Sequence, residues 1–286
     1  MGFDWRFLSR HAGDSERKVK KGAEATGADC VCLDLEDAVA HSRKPAARDT
    51  VATALATLDF GRSERAVRIN GVATSYIEED LQAVLTGKQL PDALVVPKID
   101  DVDQVSWLAS QVDTLAGERL RREGLALTII SMCESGMGLL NLKDIFQAFL
   151  AAQERAPLRL EACIFGADDF CASLGMKRQP GTDDTALARR WVALHARSFG
   201  LQPIDQVFID FKNQHGFTVE CEEGRRLGFT GKQVIHPTQV LPAQAAFSPD
   251  PHDVEEAKQL VKAFDKHQQA GKAKNLLLFA ERIDAV

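Results

Sequence analysis

The sequence predicts an α/β fold, a (β/α)8 TIM barrel with a C-terminal helical extension. The chain has 286 residues, 45% of them apolar, which is enough for one large hydrophobic core. Short β-rich runs alternate with stretches of helical periodicity, as parallel strands and crossover helices do. Eight such runs favour a closed barrel, and an open parallel sheet is the alternative.

The predicted strands extend from the N-terminal region to about residue 235. Ala93-Leu94-Val95-Val96 and Val207-Phe208-Ile209 are continuous apolar runs, the pattern of a strand that helices cover on both faces. The eight predicted strands are Trp5 to Ser9, Cys30 to Leu35, Ala66 to Ile69, Ala93 to Pro97, Leu127 to Ile130, Ala162 to Phe165, Gln206 to Asp210 and Gln233 to Ile235.

Helices are predicted between these strands. After the third strand, apolar residues recur at helical spacing at Ile77, Leu81, Val84 and Leu85. The stretches Val102 to Leu115 and Thr185 to Ser198 show the same character. Each predicted helix therefore follows a predicted strand, as βα units require.

The C-terminal region is predicted to be a separate element. Pro249 and Pro251 interrupt any continuing helix. The following stretch, Asp253 to Gln268, carries apolar residues on one helical face. We therefore expect a catalytic barrel over residues 1–246 and a helix with a tail over 247–286, the latter at a subunit interface.

Composition and charge exclude several functional classes. The net charge of −6 and the single tyrosine argue against nucleic-acid binding. No apolar run approaches the roughly 20 residues of a membrane span, and the N-terminus shows no secretory signal. The six cysteines form no C-x-x-C pair and lie in or near apolar runs, which predicts reduced, buried thiols. We expect a cytoplasmic protein, or a mitochondrial matrix protein if the source is eukaryotic.

Charged residues follow the predicted strands at the edge where a (β/α)8 barrel has its active site. The second strand leads into Asp34-Leu35-Glu36-Asp37, and the third contains Arg68 followed by Asn70. The remaining charged ends are Lys98, Glu134, Asp168-Asp169 and Asp210. Convergence of these groups predicts a polar active site, and structural ion pairs at the barrel rim are the alternative reading.

Several carboxylates without a histidine cluster indicate a hard cation such as Mg²⁺ rather than zinc. Glu134 precedes Ser135-Gly136-Met137-Gly138, where the two glycines would allow backbone to approach a ligand closely. Spacing alone leaves open which residue of the Asp168-Asp169 pair binds the metal. The other is expected to cap a helix or to support the ligands.

Taken together, these segments resemble the citrate lyase β-subunit-like enzymes of the HpcH/HpaI aldolase superfamily, and within it the citramalyl-CoA lyases. The resemblance covers roughly residues 5 to 286. It rests on Leu33-Asp34-Leu35-Glu36-Asp37-Ala38-Val39, Val67-Arg68-Ile69-Asn70, Glu134-Ser135-Gly136-Met137-Gly138, Gly166-Ala167-Asp168-Asp169-Phe170 and the run from Gly228 to Pro237.

The resemblance implies a Mg²⁺ cofactor held by Glu134 and Asp169. It implies that Arg68 binds the oxygens of the substrate's thioester or carboxylate, for which a planar guanidinium is well suited. Glu36 and Asp37 correspond to acidic residues that orient the metal's waters.

The resemblance also implies two contributions from the end of the chain. Ile235 and His236 correspond to backbone along the pantetheine arm of CoA, although packing before Pro237 would also explain the histidine. Asp284, in Arg282-Ile283-Asp284, corresponds to the catalytic acid or base that a neighbouring subunit receives. A solvated carboxylate on a loose tail is the alternative reading for Asp284.

At the N-terminus the chain departs from the family pattern. Arg10-His11-Ala12-Gly13 replaces the usual Pro-Gly turn and lysine-bearing helix. The CoA phosphates would then contact Arg10, Arg17 and Lys20 or Lys21.

The implied activity is cleavage and reversible formation of 3-hydroxyacyl-CoA thioesters, above all citramalyl-CoA to acetyl-CoA and pyruvate, with malyl-CoA lyase or malate synthase side activity. The implied partners are an acyl-CoA and an α-keto acid, in a homotrimer. Three alternatives stay open: a metal-dependent aldolase acting on a free 2-keto-3-deoxy acid, a Schiff-base aldolase on Lys98, and a catalytically silent CoA-binding scaffold.

Overall fold

The computed structural model describes residues 7–24, 27–179 and 181–269. Within them the chain has an α/β fold in which parallel strands alternate with helices. This confirms the α/β class and the parallel sheet predicted from the sequence. The strands are β1 (Phe7–Ala12), β2 (Cys30–Asp34), β3 (Glu64–Arg68), β4 (Ala93–Val96), β5 (Leu127–Cys133), β6 (Leu158–Phe165), β7 (Gln202–Asp205) and β8 (Gly231–Val234).

The strands pair in chain order, and every pairing is parallel. β1 pairs with β2 on one side and with β8 on the other, so the sheet curls until its two edges meet. Because all pairings are parallel, the carboxyl ends of the strands lie at one edge of the sheet. That edge, called the mouth below, carries the residues discussed under the candidate active site.

The seventh strand differs from the prediction. It is β7, Gln202–Asp205, whose residues Pro203 and Ile204 pair with Cys163 and Ile164 of β6. The apolar run Val207-Phe208-Ile209 lies in the following loop, and Ile209 is 58% exposed. Apolar content favoured the wrong segment, because a proline at 203 argues against a strand unless tertiary pairing is known.

A cluster made only of strand residues fills the interior of the sheet. Alternate residues of β2 to β7 form it, since neighbouring side chains on a strand point to opposite faces. Its members are Cys30, Cys32, Ala66, Ala93, Val95, Ile130, Met132, Ala162, Ile164 and Ile204. The six cysteines are all free and buried, as predicted.

Helices of the first compact unit, residues 1–246, cover the outer face of the sheet. α3 and α4 begin where the sequence predicted helices, and α4 extends beyond the predicted Leu115 to Glu123, where Gly124 in the left-handed conformation ends it. The helices are α1 (Glu16–Glu24), α2 (Lys44–Thr57), α3 (Ile77–Leu85), α4 (Val102–Glu123), α5 (Gly136–Leu140), α6 (Leu142–Gln153), α7 (Ala167–Ser173), α8 (Ala186–Ser198), α9 (Gln214–Leu227), α10 (Val240–Phe247) and α11 (Pro251–Gln269).

The chain divides into two compact units at Ala246 and Phe247. In the second unit α11 begins at Pro251, so the proline break predicted from the sequence separates α10 from α11. Among the helices that the structure describes, none combines the length and the apolar character that a bilayer crossing requires.

Candidate active site

Seven charged side chains from β2 to β6 and the turns after them form one cluster at the mouth. Ion pairs and electrostatic interactions connect its members. We call it the mouth cluster, and it consists of Asp34, Glu36, Asp37, Arg68, Lys98, Glu134 and Asp169. The prediction that charged strand ends converge is therefore confirmed for β2 to β6.

Arg68 lies at the centre of the mouth cluster and is buried. Its Nε and Nη2 donate to Oδ1 and Oδ2 of Asp34 at 2.8 and 2.6 Å, so Asp34 occupies the fork of the guanidinium. The remaining nitrogen, Nη1, lies 2.6 Å from Oε2 of Glu36 and 3.9 Å from Oδ2 of Asp37. Burial alone would lower the pKa of Arg68, but the hydrogen bond to Asp34 and the nearby carboxylates raise it, so the guanidinium stays charged.

The turn after β2 is held by hydrogen bonds from a buried lysine. Lys44 Nζ donates to the carbonyl oxygens of Leu35 and Glu36 at 2.8 and 3.1 Å, and to Oδ1 of Asn70 at 2.7 Å. The backbone N–H groups of Glu36 and Ala38 donate to the carboxylate oxygens of Asp34, and these bonds fix the same turn. These bonds place the Glu36 side chain in the cluster, where burial raises its pKa.

Lys98 follows β4 with φ of 54°, in the left-handed region. Its Nζ lies 2.8 Å from Oε1 of Glu36 and 3.9 Å from Oδ1 of Asp169. Burial lowers the pKa of Lys98, but the hydrogen bond to Glu36 and the surrounding carboxylates more than offset this, so the pKa rises. A protonated ammonium is a poor nucleophile, which disfavours the Schiff-base alternative.

Glu134, the residue after β5, is buried against a glycine. A Cβ at Gly166 would lie 2.5 Å from both Cγ and Oε1 of Glu134, so only glycine fits there. The backbone N–H of Lys98 donates to Oε2 of Glu134 at 3.1 Å. Burial, with the charges of Glu36 and Asp169, raises the pKa of Glu134 to about 8. The contact between Glu134 and Gly166 thus joins the segment after β5 to the segment after β6.

The two adjacent aspartates of α7 face different partners. Asp169 lies 3.9 Å from Lys98 Nζ and belongs to the mouth cluster. Asp168 forms an ion pair with Arg178 Nη1 at 2.8 Å, and Arg178 Nη2 donates to the carbonyl of Val207 at 2.6 Å. This division supports Asp169 as the metal ligand and leaves Asp168 a structural role.

The glycines after Glu134 allow close packing within the chain. A Cβ at Gly138 would lie 2.8 Å from Oδ1 of Asp100, and one at Gly136 would lie 2.8 Å from Cδ2 of Leu174. Ser135 caps α5 by accepting the N–H of Gly138 at 2.8 Å. Side chains of the protein itself thus approach these glycines, and the close approach of a ligand stays a prediction.

Ile235 and His236 follow β8 at the mouth. Their backbone N–H groups both donate to Oε1 of Gln239, at 3.0 and 3.2 Å. The His236 ring stacks on Phe211 with 4.4 Å between ring centroids, and its Nδ1 accepts the N–H of Thr238. The histidine side chain is thus held by local packing and capping, and the carbonyl oxygen of His236 accepts the N–H of Gln239 at 3.0 Å.

Three further predicted site residues belong to other segments, and a fourth is outside what the structure describes. Arg17 is exposed in the first turn of α1, and Arg10 lies within β1, opposite Cys32. Asp210 does not end a strand, because β7 ends at Asp205. Asp284 lies outside the described residues.

The mouth cluster has the composition of a cation site. Among the side chains that the structure describes there, five carboxylates face two cationic groups, and burial, followed by the charges of neighbouring carboxylates, raises the pKa of Glu36 and of Glu134. Glu36 Oε2 is buried and, although close to Arg68, has no hydrogen bond of acceptable geometry. An oxygen-rich set without histidine or cysteine fits Mg²⁺.

The roles of three residues at the site, Asp34, Lys44 and Gly166, were not predicted from the sequence. Asp34 was noted as a strand end, but its occupation of the Arg68 fork depends on the pairing of β2 with β3. The contacts of Lys44 with the turn and of Gly166 with Glu134 join segments at least eight residues apart. For the contact with Glu134, the sequence offered one signal, the glycine directly before Ala167-Asp168-Asp169.

Comparison with known proteins identifies what this arrangement is similar to. Residues 12–237 match the HpcH/HpaI aldolase/citrate lyase family. The chain is 39% identical to the mitochondrial citramalyl-CoA lyase of Homo sapiens over 261 residues, which are 91% of this chain and 76% of the human protein. It is 34% identical to a (3S)-malyl-CoA thioesterase of Cereibacter sphaeroides over 259 residues, 91% of this chain and 82% of that protein.

A solved structure shares the fold. The protein CitE from Mycobacterium tuberculosis, in complex with magnesium, acetoacetate and coenzyme A, superposes with a TM-score of 0.70 at 26% sequence identity. The superposition covers 92% of this chain and 88% of that one.

Proposed function

Because the chain belongs to the HpcH/HpaI aldolase/citrate lyase family, we propose that it is a Mg²⁺-dependent carbon–carbon lyase of 3-hydroxyacyl-CoA thioesters. Its main reaction would be the reversible cleavage of citramalyl-CoA to acetyl-CoA and pyruvate. The observation that carries the proposal is the carboxylate surplus around Arg68 and Lys98 at the mouth, in a relative of a citramalyl-CoA lyase. Similarity to the malyl-CoA thioesterase makes malyl-CoA a second candidate substrate.

Glu134 and Asp169 would hold the Mg²⁺, and Glu36 and Asp37 would orient its waters. The M. tuberculosis protein with the same fold binds magnesium, which supports this cofactor. Bound there, Mg²⁺ would supply Lewis acidity toward the oxygens of the α-keto acid part of the substrate.

Arg68 would stabilise negative charge on the thioester oxygen. Cleavage requires removal of the hydroxyl proton while electrons of the breaking carbon–carbon bond move into a thioester enolate. Asp34 holds Nε and Nη2 of the guanidinium, so the substrate would share Nη1 with Glu36, whose Oε2 lies 2.6 Å away. A fixed cation aimed at developing charge lowers the barrier without reorganising during the reaction.

Asp284 would exchange the proton, as a base in cleavage and in the reverse direction as the group that deprotonates acetyl-CoA. The CoA arm would lie along the backbone of Ile235 and His236, a segment that Gln239 holds in place by accepting both of their N–H groups. Arg10 and Arg17 would contact the CoA phosphates from the β1 side.

We also infer the complete architecture, a (β/α)8 TIM barrel over residues 1–246 and a helical extension over 247–286. The closed order of parallel strand pairings and the division of the chain at Ala246 support it. As in the human relative, which is mitochondrial, the matrix would be the compartment in a eukaryote, and the cytoplasm in a bacterium.

A homo-oligomer, in the form of a trimer, would complete the site. An exposed apolar stripe on α8 supports association, since Leu187, Trp191 and Leu194 recur at helical spacing and are 74%, 43% and 62% exposed. Asp284 would act in the mouth of a neighbouring subunit. Mixing inactive Asp284→Asn with inactive Glu134→Gln protomers should then restore part of the activity, because some mouths receive both intact groups. A mixture without activity, beside wild-type enzyme taken through the same exchange, would count against sharing.

The assay that tests the function compares purified protein on citramalyl-CoA, malyl-CoA and free citramalate, with Mg²⁺ and with EDTA. We expect Mg²⁺-dependent release of acetyl-CoA from citramalyl-CoA. Turnover of free acids alone would favour the aldolase alternative. No turnover of any of the three would favour a CoA-binding scaffold.

A further inference from the structure

Lys98 is held in an unusual backbone conformation at the mouth. Its φ of 54° is the one positive value for a non-glycine residue within the described ranges. A long side chain in the left-handed region carries a conformational cost, which persists only where the surroundings fix it. The backbone is fixed here through the amide of Lys98, which donates to Oε2 of Glu134 at 3.1 Å.

The side chain of Lys98 reaches three further carboxylates. Its Nζ lies 2.8 Å from Oε1 of Glu36, 3.7 Å from Oδ1 of Asp37 and 3.9 Å from Oδ1 of Asp169. The same residue therefore contacts all four acidic groups that the proposed function assigns to the metal and its waters. Arg68 reaches only two of them, Glu36 and Asp37, within ion-pair distance.

The ammonium and a metal ion would share these carboxylates. A Mg²⁺ held by Glu134 and Asp169 would lie close to the Lys98 ammonium, because both cations use Asp169. Two like charges a few ångströms apart in a partly buried site repel each other substantially. At the same time, the ammonium relieves the repulsion among the carboxylates and keeps them together.

We propose that Lys98 is a positioning residue that sets the magnesium affinity, its amide fixing Glu134 and its ammonium competing with the ion for Asp169 and Glu36. This inference rests on the proposed function, since it takes Glu134 and Asp169 as the ligands. The Lys98 amide holds Glu134 in place for the ion. The Lys98 charge weakens the binding of the ion enough for it to exchange.

The test measures Mg²⁺ binding directly, by isothermal titration calorimetry without substrate. Lys98→Met keeps the length of the side chain and removes the charge, and Lys98→Arg keeps the charge. We expect Lys98→Met to bind Mg²⁺ about 10-fold or more tightly than the wild type, and Lys98→Arg to stay within about 3-fold. Lys143→Met, which removes an exposed charge on α6, should change nothing and controls for net charge.

A second readout is the melting temperature. Without Mg²⁺, Lys98→Met should melt below the wild type, because the carboxylates lose their counter-charge. With Mg²⁺ the difference should shrink or reverse, since the variant gains more from binding the ion. A merely structural lysine would lower the melting temperature equally under both conditions.

Equal or weaker Mg²⁺ binding by folded Lys98→Met would overturn the proposal. If Lys98→Met does not fold, as judged by circular dichroism, Lys98→Gln replaces it with the same expectation. Glu134→Gln separates the two hypotheses. If it retains wild-type Mg²⁺ binding, the metal site of the proposed function is wrong. If it loses binding while Lys98→Met does not bind more tightly, only the role of Lys98 is wrong.

Discussion

In the part of the chain that the structure describes, two buried clusters are built around an arginine that binds an aspartate at the end of a strand. In the mouth cluster Arg68 binds Asp34 of β2 through two hydrogen bonds. In the second cluster Arg189 of α8 binds Asp205 of β7 in the same way, at 3.0 and 2.7 Å. The geometry of the two arginine–aspartate pairs is nearly the same, but the charges around them differ.

In the second cluster two cations face three carboxylates, one of which, Glu223, is partly exposed. Lys232 Nζ lies 3.4 Å from Asp205 and 2.7 Å from Glu220, and Arg189 Nη1 lies 3.2 Å from Glu223. Burial alone would raise the pKa of Asp205, but Lys232 and Arg189 outweigh it and lower the pKa. These residues join the sheet to α8 and α9, and the cluster fastens the fold.

In the mouth cluster the carboxylates outnumber the cations, and the pKa values of Glu36 and Glu134 move upward. Burial of charge by itself therefore does not mark a functional site. Two buried cations lower the pKa of Asp205, whereas at Glu36 and Glu134 burial outweighs the nearby cations, so a further cation would stabilise the mouth cluster.

The largest expected effects are a loss of activity on substitution in the mouth cluster and a loss of stability on substitution in the second cluster. Glu134→Gln should lower kcat at least about 1,000-fold and leave the protein folded, because it removes a metal ligand. Asp205→Asn should instead destabilise the fold by about 3–5 kcal/mol, because Arg189 and Lys232 stay buried without their partner. Steady-state kinetics and urea unfolding of both variants measure the contrast. An Asp205→Asn variant with the stability and activity of the wild type, or a Glu134→Gln variant that stays active, would contradict this contrast.

The two arginines allow a matched test. Arg68→Lys keeps the charge and loses the fork, so kcat should fall about 100-fold with a smaller change in the apparent affinity for the acyl-CoA. Arg189→Lys should lower the melting temperature by several degrees and leave kcat nearly unchanged. Wild-type turnover in Arg68→Lys would remove Arg68 as the stabiliser of the enolate.

The clusters should respond to pH in opposite directions. The raised pKa of Glu134, about 8, means that its contribution to stability is present in acid and lost as pH rises toward and through 8. The lowered pKa of Asp205 means that its contribution is present at neutral pH and lost in acid, below the ordinary aspartate range. In EDTA the melting temperature should therefore fall by about 3–8 °C between pH 6 and 9, and Mg²⁺ should remove most of that fall. A fall of the same size in Glu134→Gln would assign it to other groups.

The smallest expected effect concerns Asp168, beside the proposed ligand Asp169. Its ion pair with Arg178 is partly exposed, with 57% of the Asp168 side chain open to solvent. Asp168→Asn should change kcat less than about 5-fold and stability by less than about 1 kcal/mol. A loss as large as that of Asp169→Asn would show that the two aspartates have been assigned in the wrong order.

The sequence by itself determined the α/β class, the position of most strands and the identity of the charged residues at the strand ends. Apolar runs such as Ala93 to Val96 are long enough to report burial on both faces, and α3 repeats its apolar residues at helical spacing. Motifs that carry chemistry are local, so Glu134 and the Asp168-Asp169 pair could be found without coordinates. Their partners could not.

Only the tertiary structure decided which segment forms β7 and how the charges pair. Gln202–Asp205 is a strand because it pairs with β6, whereas its own sequence contains a proline and the more apolar run follows it. Asp34 grips Arg68, and Glu134 lies against Gly166, because parallel strands bring residues more than 30 positions apart to one edge. Periodicity records the environment of one segment, while an ion pair or a close contact depends on the relative placement of two. That placement puts Arg68 in a cluster where five carboxylates face two cations and Arg189 in one where three carboxylates face two cations.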